Sequence, residues 1–154
     1  MNIAFLLDKL DVSQLCTQLV YETNLFTKKY PSSNISLYIR YLEMMTIQPN
    51  VTMQNMINAW HFDGICISTS FKTTKILKNM FVPKKRFYYV MNPEWMFKYK
   101  MVDEYRSVFL DNDIDLIARS HDHADLITKM WKAPVEIIED FNHDQIAEKL
   151  AKYS

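Results

Sequence analysis

The chain has 154 residues, 49% of them hydrophobic and 14% aromatic, which suits one compact domain with a sizeable core and excludes a disordered chain. Eighteen Lys+Arg balance eighteen Asp+Glu, which excludes a globally basic nucleic-acid clamp and a polybasic membrane anchor. There is one glycine, Gly64, where average composition gives roughly ten, so neither a Walker loop nor a dinucleotide fingerprint can be built and no cofactor is expected.

No apolar run approaches the ~18–20 residues of a membrane helix, so no membrane span is expected. The mean hydropathy is -0.19. The start of the chain, Met1 to Asp8, lacks the basic flank and cleavage site of a signal peptide. Cys16 and Cys66 lie far apart in apolar patterns, too few for a disulfide framework or a zinc site. They read as buried thiols in a reducing compartment, and a cytoplasmic protein is expected.

Along the chain, strand-like and helix-like patterns alternate. Asn2–Leu7 is a continuous apolar run ending at Asp8 and Lys9, as in a strand covered on both faces. Val12, Leu15, Cys16, Leu19, Val20 and Phe26 share a helical face. Asp11 and Gln14 are spaced as a capping box, and Pro31 follows the expected helix end. Asn34–Ile39 reads as a second strand. After Pro49, the residues Met53, Met56, Ile57 and Trp60 predict a short helix. Gly64–Ser68 is a third strand, followed by a helix starting near Thr69 and Ser70. Phe87–Met91 is a fourth strand, Lys100–Leu110 a helical stretch, and Asp115–Ala118 a fifth strand. Ser120 caps a helix carrying Ile127 and Trp131. Val135–Ile138 is a sixth strand, and Ile146, Ala147 and Leu150 line a last helix.

Strands alternating with helices pair in parallel, because a crossover helix returns the chain in the same direction. The expected fold class is α/β: a doubly wound, mainly parallel six-stranded sheet, Rossmann-like, with strand order 3-2-1-4-5-6. Residues 1–154 form a single domain.

In such a sheet, ligands bind beyond the carboxyl ends of the strands, near the point where the order reverses. This rule selects Asp8 and Lys9 after the first strand, and Ser68, Thr69 and Ser70 after the third. It selects Asn92, Glu94 and Trp95 after the fourth, His121 and Asp122 with His123 after the fifth, and Glu139 after the sixth. Ser68–Ser70 read either as an anion-binding helix start or as a simple N-cap. Imidazoles two apart at a helix start diverge by ~200°, so His121 and His123 are not expected to chelate a metal. Glu94 offers an acceptor for sugar hydroxyls and Trp95 a face for stacking, against the alternative of a surface turn. Most of the basic run from Lys72 to Arg86 reads as helix-end and strand-entry cations at the opposite edge, and a nucleic-acid partner is not expected.

The segment Lys84 to Phe97, with Glu94 and Phe97 in register, resembles the N-terminal domain of two-domain (GT-B) glycosyltransferases. It is most similar to the rhamnosyltransferase-like, glycosyltransferase family 4-like group, where this strand runs into a Gln-Asp-x-Glu-x-x-Phe pattern. Met91 and Asn92 replace the Gln and Asp, and Asp8 to Asp11 replace the Gly-rich first loop of these enzymes. The opening strand and the order Asp115–Ser120, Lys129–Lys132, Val135–Asp140 also fit the group. The resemblance implies a transferase-type domain that binds a glycosyl acceptor or a sugar nucleotide. Glu94, Asp8 and His121 would be the catalytic candidates; Lys9, Ser68, Thr69, Ser70, Asn92, Trp95, Asp122 and Glu139 would be the ligand-binding ones. The sequence stops where such an enzyme's donor half would begin, so turnover by this chain alone is not expected, and a separate donor-binding subunit or a homodimer is. Two alternatives stay open: a non-enzymatic interaction domain using Trp95, Phe97 and Tyr99, and a component of a phage-type DNA-modifying glycosyltransferase.

Overall fold

The computed structural model describes residues 1–154, apart from the side chain of Tyr99. It contains one sheet of seven strands in the order β3-β2-β1-β4-β5-β6-β7. These are β1 (Asn2–Leu10), β2 (Asn34–Leu42), β3 (Thr52–Asn55), β4 (Ile65–Ser68), β5 (Lys85–Val90), β6 (Asp115–Ala118) and β7 (Glu136–Ile137). Every neighbouring pair is parallel. The helices are α1 (Gln14–Lys29), α2 (Phe71–Lys78), α3 (Val102–Phe109), α4 (His121–Met130) and α5 (His143–Leu150). The expected doubly wound, Rossmann-like α/β architecture is therefore present.

The unbroken apolar run of β1 follows from its central position, paired with both β2 and β4. Ile3, Phe5 and Leu7 face one layer, where Leu19, Val20 and Phe26 of α1 meet Ile146 and Leu150 of α5. Ala4 and Leu6 face the other, against Phe71 and Leu77 of α2, Tyr105 and Phe109 of α3, and Ile127 of α4. The period of two in the strand thus supplies both cores at once. Both thiols are buried, and burial pushes the Cys66 thiol up to about 12.

Two expectations need correction. Residues 52–55, read as the start of a helix, form the edge strand β3, and only Met56–His61 turn, as a 3-10 helix. All four β3 side chains are exposed, so pairing rests on backbone bonds to β2 and leaves no apolar alternation to read. The sheet gains a seventh strand, and the segment expected as third becomes β4, beside β1. The second correction is the cap of α1. Ser13 holds it, accepting the Cys16 N–H, while Asp11 accepts the Ser13 N–H at 2.9 Å.

Candidate functional site

The strand order reverses between β1 and β4, because β2 and β3 lie on one side of β1 and β4 to β7 on the other. A cleft of about 380 Å³ opens at the carboxyl ends of these strands. Its walls come from β1 (Asp8), the start of α2 (Ser70, Phe71, Lys72, Lys75), the turn after β5 (Glu94, Lys98), and the approach to α3 (Met101, Glu104). The volume falls in the ~300–1,000 Å³ range of small-molecule sites.

Acids and cations alternate around the cleft. The Asp8 carboxylate lies 3.1 Å from Lys72 Nζ and 3.6 Å from an Arg40 guanidinium nitrogen. Lys75 meets Glu104 at 2.8 Å, and Lys98 meets Glu94 at 3.6 Å. A cation in the first turn of a helix opposes the helix dipole, so Lys72 sits there at a cost that Asp8 offsets. The lysines are largely solvated, and such exposed pairs contribute only about 0–1 kcal/mol each. An incoming anion can therefore replace a carboxylate on Lys72 or Lys75 at little cost. Beneath the floor, Tyr105 stacks on Phe71 with ring centroids 4.2 Å apart. Its hydroxyl is buried with no hydrogen-bond partner among the described residues. Burial, and then the charges of Glu94 and Glu104, raise its pKa.

Of the sequence candidates, Asp8, Ser70 and Glu94 come together in this cleft. Ser70 is the N-cap of α2, in a reciprocal capping box with Thr73, so its hydroxyl is already engaged. Ser68 and Thr69 are not ligand-facing. Ser68 is fully buried and donates to the Phe87 carbonyl at 3.1 Å, and the Thr69 hydroxyl donates to the Leu6 carbonyl at 3.0 Å. They satisfy the polar seam between strands.

Trp95 is not a stacking platform either. The 3-10 turn Glu94–Met96 tucks its indole inward, 4% exposed, edge-on to Phe109 and Trp131. The interaction patch expected from Trp95, Phe97 and Tyr99 therefore loses its indole. Phe97 is 81% exposed, and the Tyr99 side chain lies outside the described residues. Lys9 neighbours Asp8 on β1 and so points to the opposite face, where it binds Glu43 at 2.9 Å. Asn92 and Asp122 are exposed and do not line the cleft.

His121 and Glu139 share a separate concavity of about 310 Å³ with Glu136, Gln145 and Lys149, by β7. His121 thus does not join Asp8 and Glu94. Among the described residues, no three His, Cys, Asp or Glu side chains are placed to hold a metal.

Lys72 and Lys75, expected with the basic run at the opposite edge, line the cleft instead, and the sequence did not single out Lys98 or Glu104. A signal existed for two of them. With Ser70 opening the helix, Lys72 falls in its first turn and hence on the binding rim, and Lys98 stands four residues after Glu94.

The neighbouring His123 has both ring nitrogens buried without a partner among the described residues. Burial, and then the Arg119 cation, hold its pKa below the ordinary 6.5. As pH falls through 6.5, the unfolded chain takes up a proton there before the folded chain does, so folding stability drops. We expect His123→Leu to melt progressively higher than the wild type as pH is lowered from about 7 to 5. A gap between the two melting temperatures that stays constant with pH would contradict this.

Compared with known protein families, curated proteins and solved structures, the chain matches none.

Proposed function

We propose that the chain is a glycosyltransferase-like domain whose cleft at the strand-order reversal binds a sugar nucleotide or a glycosyl acceptor. The observation that carries this reading is the presence of Asp8, Glu94, Lys72 and Lys75 around one cleft on a doubly wound sheet. A sugar phosphate presents both chemistries such a cleft recognises. Its hydroxyls donate to carboxylates, and its phosphates take lysines at a helix N-terminus. When a phosphate binds Lys72 and Lys75, Glu104 loses its cation and Asp8 keeps only Arg40 on one oxygen, which leaves the other free to accept from a hydroxyl. Glu94, held only loosely by Lys98, is the group best placed to accept a hydroxyl proton in transfer. The resemblance of the Lys84–Phe97 segment to GT-B N-terminal domains supports the same reading. It concerns binding.

Calorimetric titration with a panel of uridine, guanosine, adenosine and thymidine diphosphate sugars tests it. At least one should bind, with Lys72→Ala and Glu94→Gln each weakening it about tenfold, the loss of one charge-assisted hydrogen bond. Absence of binding across the panel, or binding indifferent to both substitutions, contradicts the reading.

A further inference from the structure

The geometry points to a two-fold homodimer formed through the free edge of β3, which joins two seven-stranded sheets into one. β3 is bonded to β2 on one side only, and all four of its residues are exposed. Large apolar side chains surround this edge: Leu42 is 64% exposed, Met44 84% and Ile57 70%, and Met53 and Trp60 are also exposed. A groove of about 350 Å³ runs between Leu42 and Met53, with Arg40 as its one charged lining residue. Residues 44–60 contain no Asp, Glu, Lys, Arg or His in a chain that is 23% charged. The nearest charges upstream are already held, Arg40 by Asp8 and Glu43 by Lys9.

Exposed edge strands ordinarily carry charges that block pairing with another chain, and β3 carries none. Neutrality also identifies the occupant. A different protein would be selected by charges complementary to this surface, and residues 44–60 offer none. A two-fold contact has the opposite requirement, since near the axis each side chain meets its own kind and any charge meets a like charge. An axis normal to the sheet runs the two β3 strands antiparallel and keeps each sheet face on its own side. Met53 then faces Met53 of the other copy with Thr52 facing Gln54, or, two residues along, Met53 faces Asn55 with Gln54 facing Gln54. Main-chain bonds supply the pairing, and Leu42, Met44 and Ile57 supply buried apolar area.

Sedimentation equilibrium of the full chain tests the dimer. The wild type should be dimeric at micromolar concentration. Met53→Lys and Met53→Glu, each placing like charges across the axis, should raise the dissociation constant at least tenfold with an unchanged circular dichroism spectrum. Mixing the two variants should restore the dimer. Ile57→Lys, on the adjoining 3-10 turn, should weaken association without touching a strand, and Phe97→Lys, outside the contact, should not. A monomeric wild type, a dimer indifferent to Met53 and Ile57, or a mixture that stays monomeric overturns the proposal. None of these outcomes bears on nucleotide-sugar binding, because Met53, Ile57 and Phe97 do not line the cleft.

Discussion

Phe109→Ala is expected to destabilise the fold by about 3–5 kcal/mol, lowering the melting temperature by roughly 6–20 °C. Phe109 is fully buried at the end of α3. Its ring stacks on Trp131 at 5.2 Å and meets Tyr88 at 5.3 Å and Trp95 at 4.9 Å. Removing it opens a cavity among rings that are too rigid to collapse into it. The consequence reaches the cleft, because Trp95 anchors the turn that carries Glu94 and would lose its edge-on partner. Ligand affinity should therefore fall along with stability, although Phe109 does not line the cleft. Thermal melting and the calorimetric titration, run on the same variant, check both effects. Near-wild-type melting would show that the aromatic cluster does not hold α3 and the Glu94 turn to the sheet.

Gly64→Ala is expected to cost about 2–3 kcal/mol, from backbone strain together with a steric clash. The only glycine of the chain sits at φ +158°, where side-chain-bearing residues are rarely found. A Cβ there would lie 2.6 Å from the Asn2 carbonyl oxygen and 2.9 Å from a Phe62 ring carbon. The oxygen belongs to the backbone of β1 and cannot step aside without disturbing the central strand. The Gly64 carbonyl also accepts the Lys84 N–H at 3.0 Å, so the displacement would pass to the entry of β5. A chain this poor in glycine keeps one where β1, Phe62 and the start of β4 converge. Denaturant unfolding of Gly64→Ala measures the effect, and a midpoint matching the wild type would contradict it.

The two-layer sheet was legible because buried parallel strands are written in continuous apolar runs, as in Ile3–Leu7. Ser70 and Glu94 were legible for a simpler reason: locating a strand end is enough to place the next residues on the rim. Asp8 reaches the same rim although β1 continues to Leu10, because pairing with β4 ends at Leu6. β3 was not legible, because a strand with four exposed side chains is held by backbone bonds that no sequence pattern records. Ser68 and Thr69 were misread because hydroxyls next to a helix start serve ligands and interstrand carbonyls equally well, and only the geometry shows the Phe87 and Leu6 carbonyls waiting for them. Trp95 was misread because a 3-10 turn rotates each residue by about 120°, which carried Glu94 to the cleft and its neighbour into the core. His121 and Glu139 lie on the same rim as Asp8, but at the far edge by β7, a distance that strand ends alone do not convey.

Whether a sugar-phosphate ligand occupies the cleft where the strand order reverses is read by a backbone amide NMR titration with the tightest-binding nucleotide sugar. The largest shifts should fall on Asp8, Ser70 to Lys72 and Glu94. Shifts confined to the His121–Glu139 concavity or to the β3 edge, or no shifts at saturating ligand, would contradict occupancy of the cleft.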